Sequence, residues 1–266
     1  MTTPCEVHLF SDSRLKANST AEKILKTSKE LELKYNFYNP NSYLSKINRR
    51  EVKKVDPQTK EILKEAREFY YKTNGIFDIT MGTLKGVERS KSIKELEEKR
   101  EKLLEFVGVE HFKIKRDKIE FDNPYTKIDL GGFVKEYAVD RAVKIIKRAK
   151  IESALINFGG DIFSFGREFL IGIKNPKNPK ENILTIPLKN RALTTSASYE
   201  RYTKIEKEIY SHIIYKTKVQ SKIISATVIS DSAIKSGVYS TSLMINPNLD
   251  IDLEKILIDE ELKVLN

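Results

Sequence analysis

The feature that most constrains this chain is a change of hydrophobic period near residue 150. Before it, apolar side chains recur three and four positions apart, the spacing of one helix face. Ser19 and Glu22 read as a capping box ahead of Ala21, Ile24, Leu25, Ser28, Leu31 and Tyr35. Asp56-Pro57 reads as an N-cap followed by proline at the first helical position. That helix carries Ile62, Leu63, Ala66 and Phe69 and stops at Asn74-Gly75. Ser92 and Glu95 open a third helix with Ile93, Leu96, Leu103, Leu104 and Val107, ending at Gly108. FKIK and KIEF form a hairpin around Arg116-Asp117, and a further helix runs from Phe133 to about Ala149.

Beyond residue 150 the apolar residues come instead as short strand-like runs: ALIN, FLIGI, ILTIPL, ALTT, EIYSHII and IISATVIS. Residues 174–182 are turn chemistry between two of them. One more helix is expected from about Asp231 to Met244, before a closing strand at ILID. Helices and strands segregated in this way predict an α+β fold rather than a βαβ succession. With no linker, repeat or low-complexity tract, residues 1–266 are expected to form a single domain.

Composition removes several classes of function. No run of 18 apolar residues exists, so no transmembrane helix is expected. A single cysteine, Cys5, excludes a disulfide framework and a thiolate zinc site. The three histidines, His8, His111 and His212, show no metal-ligand spacing. The net charge of +10 invites a nucleic-acid reading, but the lysines are spread among glutamates, as in KELEEKREKLLEF. That is a solvated surface, without the module signature nucleic-acid binding requires. The opening MTTPCEVHLF reads directly as a strand, with no targeting signal.

Two glycine pairs stand beside acids where backbone could approach a ligand. Asp129-Leu-Gly131-Gly132 lies at a strand end, directly before the Phe133 helix. Uncovered N–H groups and the positive helix terminus make a phosphate cradle there, or else Asp129 is simply the cap of a tight turn. Asn157-Phe-Gly159-Gly160-Asp161 is a second such site or a hairpin turn. In Gly75-Ile-Phe-Asp78-Ile-Thr80-Met-Gly82, Asp78 is either a cap or a ligand anchor.

In order along the chain, these segments resemble the ApbE family, the FAD:protein FMN transferases. Met1-Thr-Thr is similar to the family's Met-Gly-Thr opening, and Tyr38-Asn-Pro-Asn-Ser42-Tyr-Leu-Ser45-Lys-Ile-Asn48 to its aromatic-x-Pro-x-Ser segment. Gly75-Ile-Phe-Asp78-Ile-Thr80, Asp129-Leu-Gly-Gly-Phe-Val-Lys135 with Tyr137-Ala-Val-Asp140, and Ala154-Leu-Ile-Asn157-Phe-Gly-Gly-Asp161 follow. Thr195-Ser196, Tyr199-Glu-Arg201, Ser211-His212-Ile213-Ile214 and Ser240-Thr241 complete the series, which spans Met1 to about Met244.

The resemblance implies two lobes, with a helix-rich first half and a strand-rich second half around an FAD cleft. It implies cleavage of FAD with Mg²⁺, attachment of FMN to a Thr or Ser hydroxyl of an acceptor protein, and release of AMP. By matched position, Met1, Tyr38, Ile76, Phe77, Asp78, Asp129, Lys135 and Ile213 would contact FAD. The backbone of Gly132 and the side chain of Thr241 would hold the metal, and His212 would act as base on the acceptor hydroxyl. Family members are usually exported, so a periplasmic setting is implied if a leader was removed, and a cytoplasmic one otherwise. Oligomeric state is not fixed by the resemblance.

Three departures qualify this. Gly237 stands where the family carries a metal-ligand Asp, four residues before Thr241. Glu136 replaces the glycine after Lys135, and Tyr215-Lys-Thr-Lys218 replaces an Asp-Pro-x-Thr-Gly turn. The missing acid implies an impaired metal site, which an acid at position 237 would restore. The alternative is a non-catalytic FAD-binding protein of the same fold.

Overall fold

The computed structural model describes residues 4–197, 202–205, 208–211 and 221–265. The strands are β1 (Cys5–Phe10), β2 (Phe112–Lys115), β3 (Lys118–Phe121), β4 (Ser153–Phe158), β5 (Asp161–Phe165), β6 (Phe169–Asn175), β7 (Asn178–Leu188), β8 (Ala192–Ala197), β9 (Tyr202–Ile205), β10 (Glu208–Ser211), β11 (Ile223–Ser230), β12 (Glu254–Asp259) and β13 (Val264–Leu265). The helices are α1 (Arg14–Tyr35), α2 (Tyr43–Asn48), α3 (Pro57–Lys72), α4 (Ile93–Leu104), α5 (Val134–Arg148) and α6 (Ala233–Ile245). Helices thus dominate the first half and strands the second, an α+β arrangement.

The chain divides into two compact units, and they do not follow the sequence halves. One comprises Met1–Leu33, Gly132–Ala197 and Ser221–Asn266; the other comprises Lys34–Gly131 and Ser198–Gln220. The first is built on a seven-stranded sheet of order β1-β4-β5-β8-β11-β12-β13. Every neighbouring pair in it is antiparallel, and β1 joins the strand-rich part by pairing Cys5 with Phe158 through Phe10 with Ser153. Backbone pairing of distant segments, not local composition, therefore sets the division.

Helix α6 packs on β8 and β11, and α5 on β4 and β5. Helix α5 buries Val134, Tyr137, Ala138, Val139, Ala142, Val143 and Ile146. Each large aliphatic or aromatic side chain so buried stabilises by about 1.5–3 kcal/mol. The β6–β7 hairpin contributes Ile171, Ile173, Ile186 and Leu188 to a second cluster with Leu193, Ile229 and Ile258. Strand β7 begins at Asn178, inside the segment expected to be turn, because bulges at Ile173–Asn175 let the pairing continue past the prolines.

In the second unit, α3 begins as its sequence dictates. Asp56 accepts from the N–H of Thr59, and Pro57 stands in the first turn. Asn74 and Gly75 end it with positive φ. Helix α4 has Ser92 as its N-cap, accepting from the Glu95 N–H, while Glu95 accepts from the Lys91 N–H. Helix α1 is a correction. It starts at Arg14, with Ser13 Oγ accepting from the Lys16 N–H, and Ser19 lies inside it, donating back to the Lys16 carbonyl. The nearer Ser13 captures the free N–H, so the Ser19–Glu22 pair caps nothing.

Candidate functional site

Two polar clusters account for most of the motif residues, one in each unit. In the Lys34–Gly131 unit, the segment 127–131 is held from both sides. Asn48 donates from Nδ2 to the Ile128 carbonyl and accepts the Ile128 N–H, both at 2.8 Å, so its amide replaces a neighbouring strand. Ser42 caps α2 through the Ser45 N–H and so sets the position of Asn48. On the other side the Asp129 N–H donates to the Ile79 carbonyl at 2.7 Å. Gly82 packs so closely here that a Cβ would lie 2.8 Å from the Lys127 carbonyl and 3.0 Å from Asp129.

Asp129 accepts the Gly131 N–H at 2.9 Å and forms an ion pair with Lys85. Lys85 also lies 4.8 Å from the ring centre of Tyr38 and 5.0 Å from that of Phe37. Burial would lower the Lys85 pKa, but the Asp129 carboxylate outweighs it and holds the pKa above its ordinary value. Tyr38 itself is 67% exposed, and Phe37 meets it edge-on. Asp78 caps the turn at Ile79–Leu84, accepting the Thr80 N–H at 2.8 Å, and Thr80 Oγ1 accepts the Gly108 N–H at 2.7 Å. Phe77 is buried and Ile76 half-buried beside it. Asp129 does not cap α5; its N-cap, Phe133, has no side-chain cap.

In the sheet-bearing unit, Asn157-Phe-Gly-Gly-Asp161 is a hairpin turn, with Phe158 opposite Asp161 and Gly159 and Gly160 at positive φ. The turn aims Asp161 inward, where it is 1% exposed and its Oδ2 lies 2.8 Å from Lys135 Nζ. One residue on, Glu136 is 5% exposed, and its Oε2 has no hydrogen-bond partner among the described residues. Burial pushes the Glu136 carboxyl up to about 8; the Asp161 charge adds to this and Lys135 opposes it.

The place an acid at 237 would take is filled. A Cβ on Gly237 would lie 2.6 Å from Glu136 Cγ and 3.0 Å from its Oε1. An acid at 237 would take up the family position only if the Glu136 side chain of α5 moved aside. Thr241 Oγ1 and Ser240 Oγ lie 3.1 Å and 2.8 Å from Ser196 Oγ, which joins two motif segments from β8 and α6. At Gly132 a Cβ would meet nothing within 4 Å, and φ is not in the left-handed region. Neither strain nor packing among the described residues requires glycine there.

Met1, His212 and Ile213 lie outside the described residues, as do Tyr199 and Arg201. Among the described residues no three His, Cys, Asp or Glu side chains converge as a metal site, and no helix is long and apolar enough to cross a membrane. Sequence reasoning missed Lys85, whose partner Asp129 is distant in the chain. It flagged Glu136 only as a departure.

Comparison with known proteins accounts for the order of these segments. The ApbE family model matches residues 1–253. An FAD:protein FMN transferase of Buchnera aphidicola subsp. Baizongia pistaciae is 27% identical over 268 residues, covering 92% of this chain and 78% of that protein. One from Vibrio cholerae serotype O1 is 27% identical over 225 residues, covering 78% of this chain and 67% of its own length. The crystal structure of the ApbE protein from Thermotoga maritima superposes with a TM-score of 0.86 at 26% identity, covering 99% of this chain and 96% of that one. The flavin transferase ApbE of Vibrio cholerae shares the fold, with a TM-score of 0.75 at 21% identity, covering 98% and 91%. A match over nearly the whole chain, in sequence model and in fold, carries the assignment: this chain belongs to the ApbE family.

Proposed function

We propose that the chain is an FAD:protein FMN transferase. The observation that carries this reading is Gly132, a glycine whose side-chain space is open although its backbone would accept any residue. It adjoins the N-terminus of α5, which no side chain caps, and Lys135 stands in the first turn. Open backbone N–H groups, the helix dipole and an ammonium group are the elements that bind a diphosphate.

In this reading Tyr38 offers an aromatic face to FAD, Ile76 and Phe77 an apolar wall, and Asp78 and Asp129 carboxylate acceptors for its hydroxyl or amino groups. Met1 and Ile213 are assigned to the same substrate by motif position. Lys135 screens diphosphate charge. The acceptor Thr or Ser hydroxyl attacks the phosphorus of the FMN half, His212 takes the hydroxyl proton, and the bond to the AMP phosphate breaks with AMP leaving. Such transfer depends chiefly on positioning and on neutralising charge.

The residues present fit a divalent cation: the Thr241 hydroxyl, the Gly132 backbone carbonyl and the Glu136 carboxylate, whose buried Oε2 has no hydrogen-bond partner among the described residues, are hard oxygen donors. When bound, Mg²⁺ would offset the negative charge of the diphosphate. The second reading, an FAD-binding protein without turnover, is favoured by Gly237, which supplies no charge of its own. Incubation with FAD and Mg²⁺, followed by chromatography for FMN and AMP, separates the two. AMP release with FMN on an acceptor peptide supports the transferase; a stable 450 nm flavin spectrum without AMP supports the binder.

A further inference from the structure

The carboxylate of Glu136 is held where an acid on α6 would otherwise lie. Its Cγ is 2.6 Å from the ideal Cβ of Gly237, so the two positions cannot both carry a side chain without one moving. With glutamate in this conformation at 136, glycine is the residue that fits at 237. Glu136 Oε2 is buried without a hydrogen-bond partner among the described residues, a costly state for a carboxylate without a cation. Lys135 is engaged with Asp161, and Asp161 adds negative charge to the same pocket. The hydroxyls of Ser240 and Thr241 follow Gly237 on α6 and cluster with Ser196.

We propose that Glu136, on α5, supplies the carboxylate ligand of a divalent-cation site whose other donors are Thr241 and the Gly132 backbone, so that the charge absent from Gly237 is delivered from the facing helix. This deepens the transferase reading and rests on it for the site's use with a diphosphate. It also changes the meaning of Gly237, which becomes the complement of Glu136 rather than a defect.

The test uses the purified chain, Mn²⁺ as probe and ADP as the diphosphate, with binding followed by electron paramagnetic resonance. Wild type is expected to bind one Mn²⁺ in the presence of ADP, and Glu136→Gln to bind it at least tenfold more weakly. In EDTA, Glu136→Gln should melt at or above the wild-type temperature, because the amide keeps the shape of the side chain and has no charged form to desolvate. Gly237→Asp alone should melt lower, since its Cβ meets Glu136. The double variant Glu136→Gly with Gly237→Asp should recover Mn²⁺ affinity to within about threefold of wild type, as it moves the carboxylate back across the helix pair. Wild-type Mn²⁺ affinity in Glu136→Gln overturns the assignment even if the double variant does not fold. So does absence of Mn²⁺ binding by wild type. FAD cleavage by wild type is read separately: if AMP is released while Glu136→Gln binds Mn²⁺ normally, the transferase reading stands and Glu136 is not the ligand. If FAD neither binds nor is cleaved, the transferase reading falls, and the Mn²⁺ measurements still decide Glu136.

Discussion

The carboxylate of Asp140, in the second turn of α5, accepts the backbone N–H groups of Ala233 at 2.8 Å and Ile234 at 3.2 Å, the first two residues of α6. Helix termini leave such donors unpaired, so one helix here completes the end of another. The bond fixes α6, and with it Gly237, Ser240 and Thr241, against α5, which carries Glu136. Burial raises the Asp140 pKa, and the two N–H groups work against that rise.

Asp140→Ala is therefore expected to cost roughly 1–3 kcal/mol, because two buried donors lose their acceptor. In a chain of this size that lowers the melting temperature by several degrees. Calorimetry checks it; an unchanged melting temperature would mean that Ser232, which accepts the Lys235 N–H, caps α6 alone.

Gly82→Ala should destabilise by about 1–3 kcal/mol, as overpacking against fixed backbone does. Its Cβ would meet the Lys127 carbonyl at 2.8 Å, and backbone cannot rotate away as a side chain can. The displaced segment carries Asp129, so FAD affinity should fall with stability. Denaturant unfolding and flavin fluorescence titration measure the two; loss of neither would show that the segment yields freely.

Asp129→Ala removes the acceptor of the Gly131 N–H and the partner of Lys85. FAD affinity is expected to drop by about 1–3 kcal/mol, roughly 5- to 150-fold. Calorimetric titration with FAD reads this directly, and unchanged affinity would leave Asp129 with a loop-bracing role alone.

Asp56 caps α3 and accepts from Lys34 Nζ at 2.9 Å. Burial alone would raise its pKa, but the Thr59 N–H and Lys34 outweigh that and hold it below the ordinary 3.8. A depressed folded-state pKa means that the unfolded chain binds the proton first. The stabilisation is complete above about pH 4 and fades as pH falls through the folded value. Asp56→Ala should cost about 0.5–2 kcal/mol near neutrality, and the difference from wild type should shrink in acid. Melting curves from pH 2 to 7 test it; a constant difference would assign the effect to packing.

What the sequence determined by itself is what depends on neighbours along the chain. Asp56-Pro57 and Ser92-Glu95 start α3 and α4 because a side-chain oxygen reaches N–H groups three residues away. Asn74-Gly75 and Arg116 turn the chain where φ must be positive. Competition between local signals already limits this: Ser13 caps α1 ahead of Ser19, and the two cannot be ranked without the preceding turn. The order of motifs identified the family because each short segment could be read separately.

Only the tertiary structure decided the partnerships between distant residues. The pairing of β1 with β4 draws the first residues into the sheet-bearing unit, and Lys85 meets Asp129 although neither belongs to a shared motif. Above all, Glu136 and Gly237 read as two unrelated departures in sequence and as a single exchange of volume in space. Such relationships are set by which helix faces pack together, and a side chain's reach across that contact has no counterpart in linear spacing.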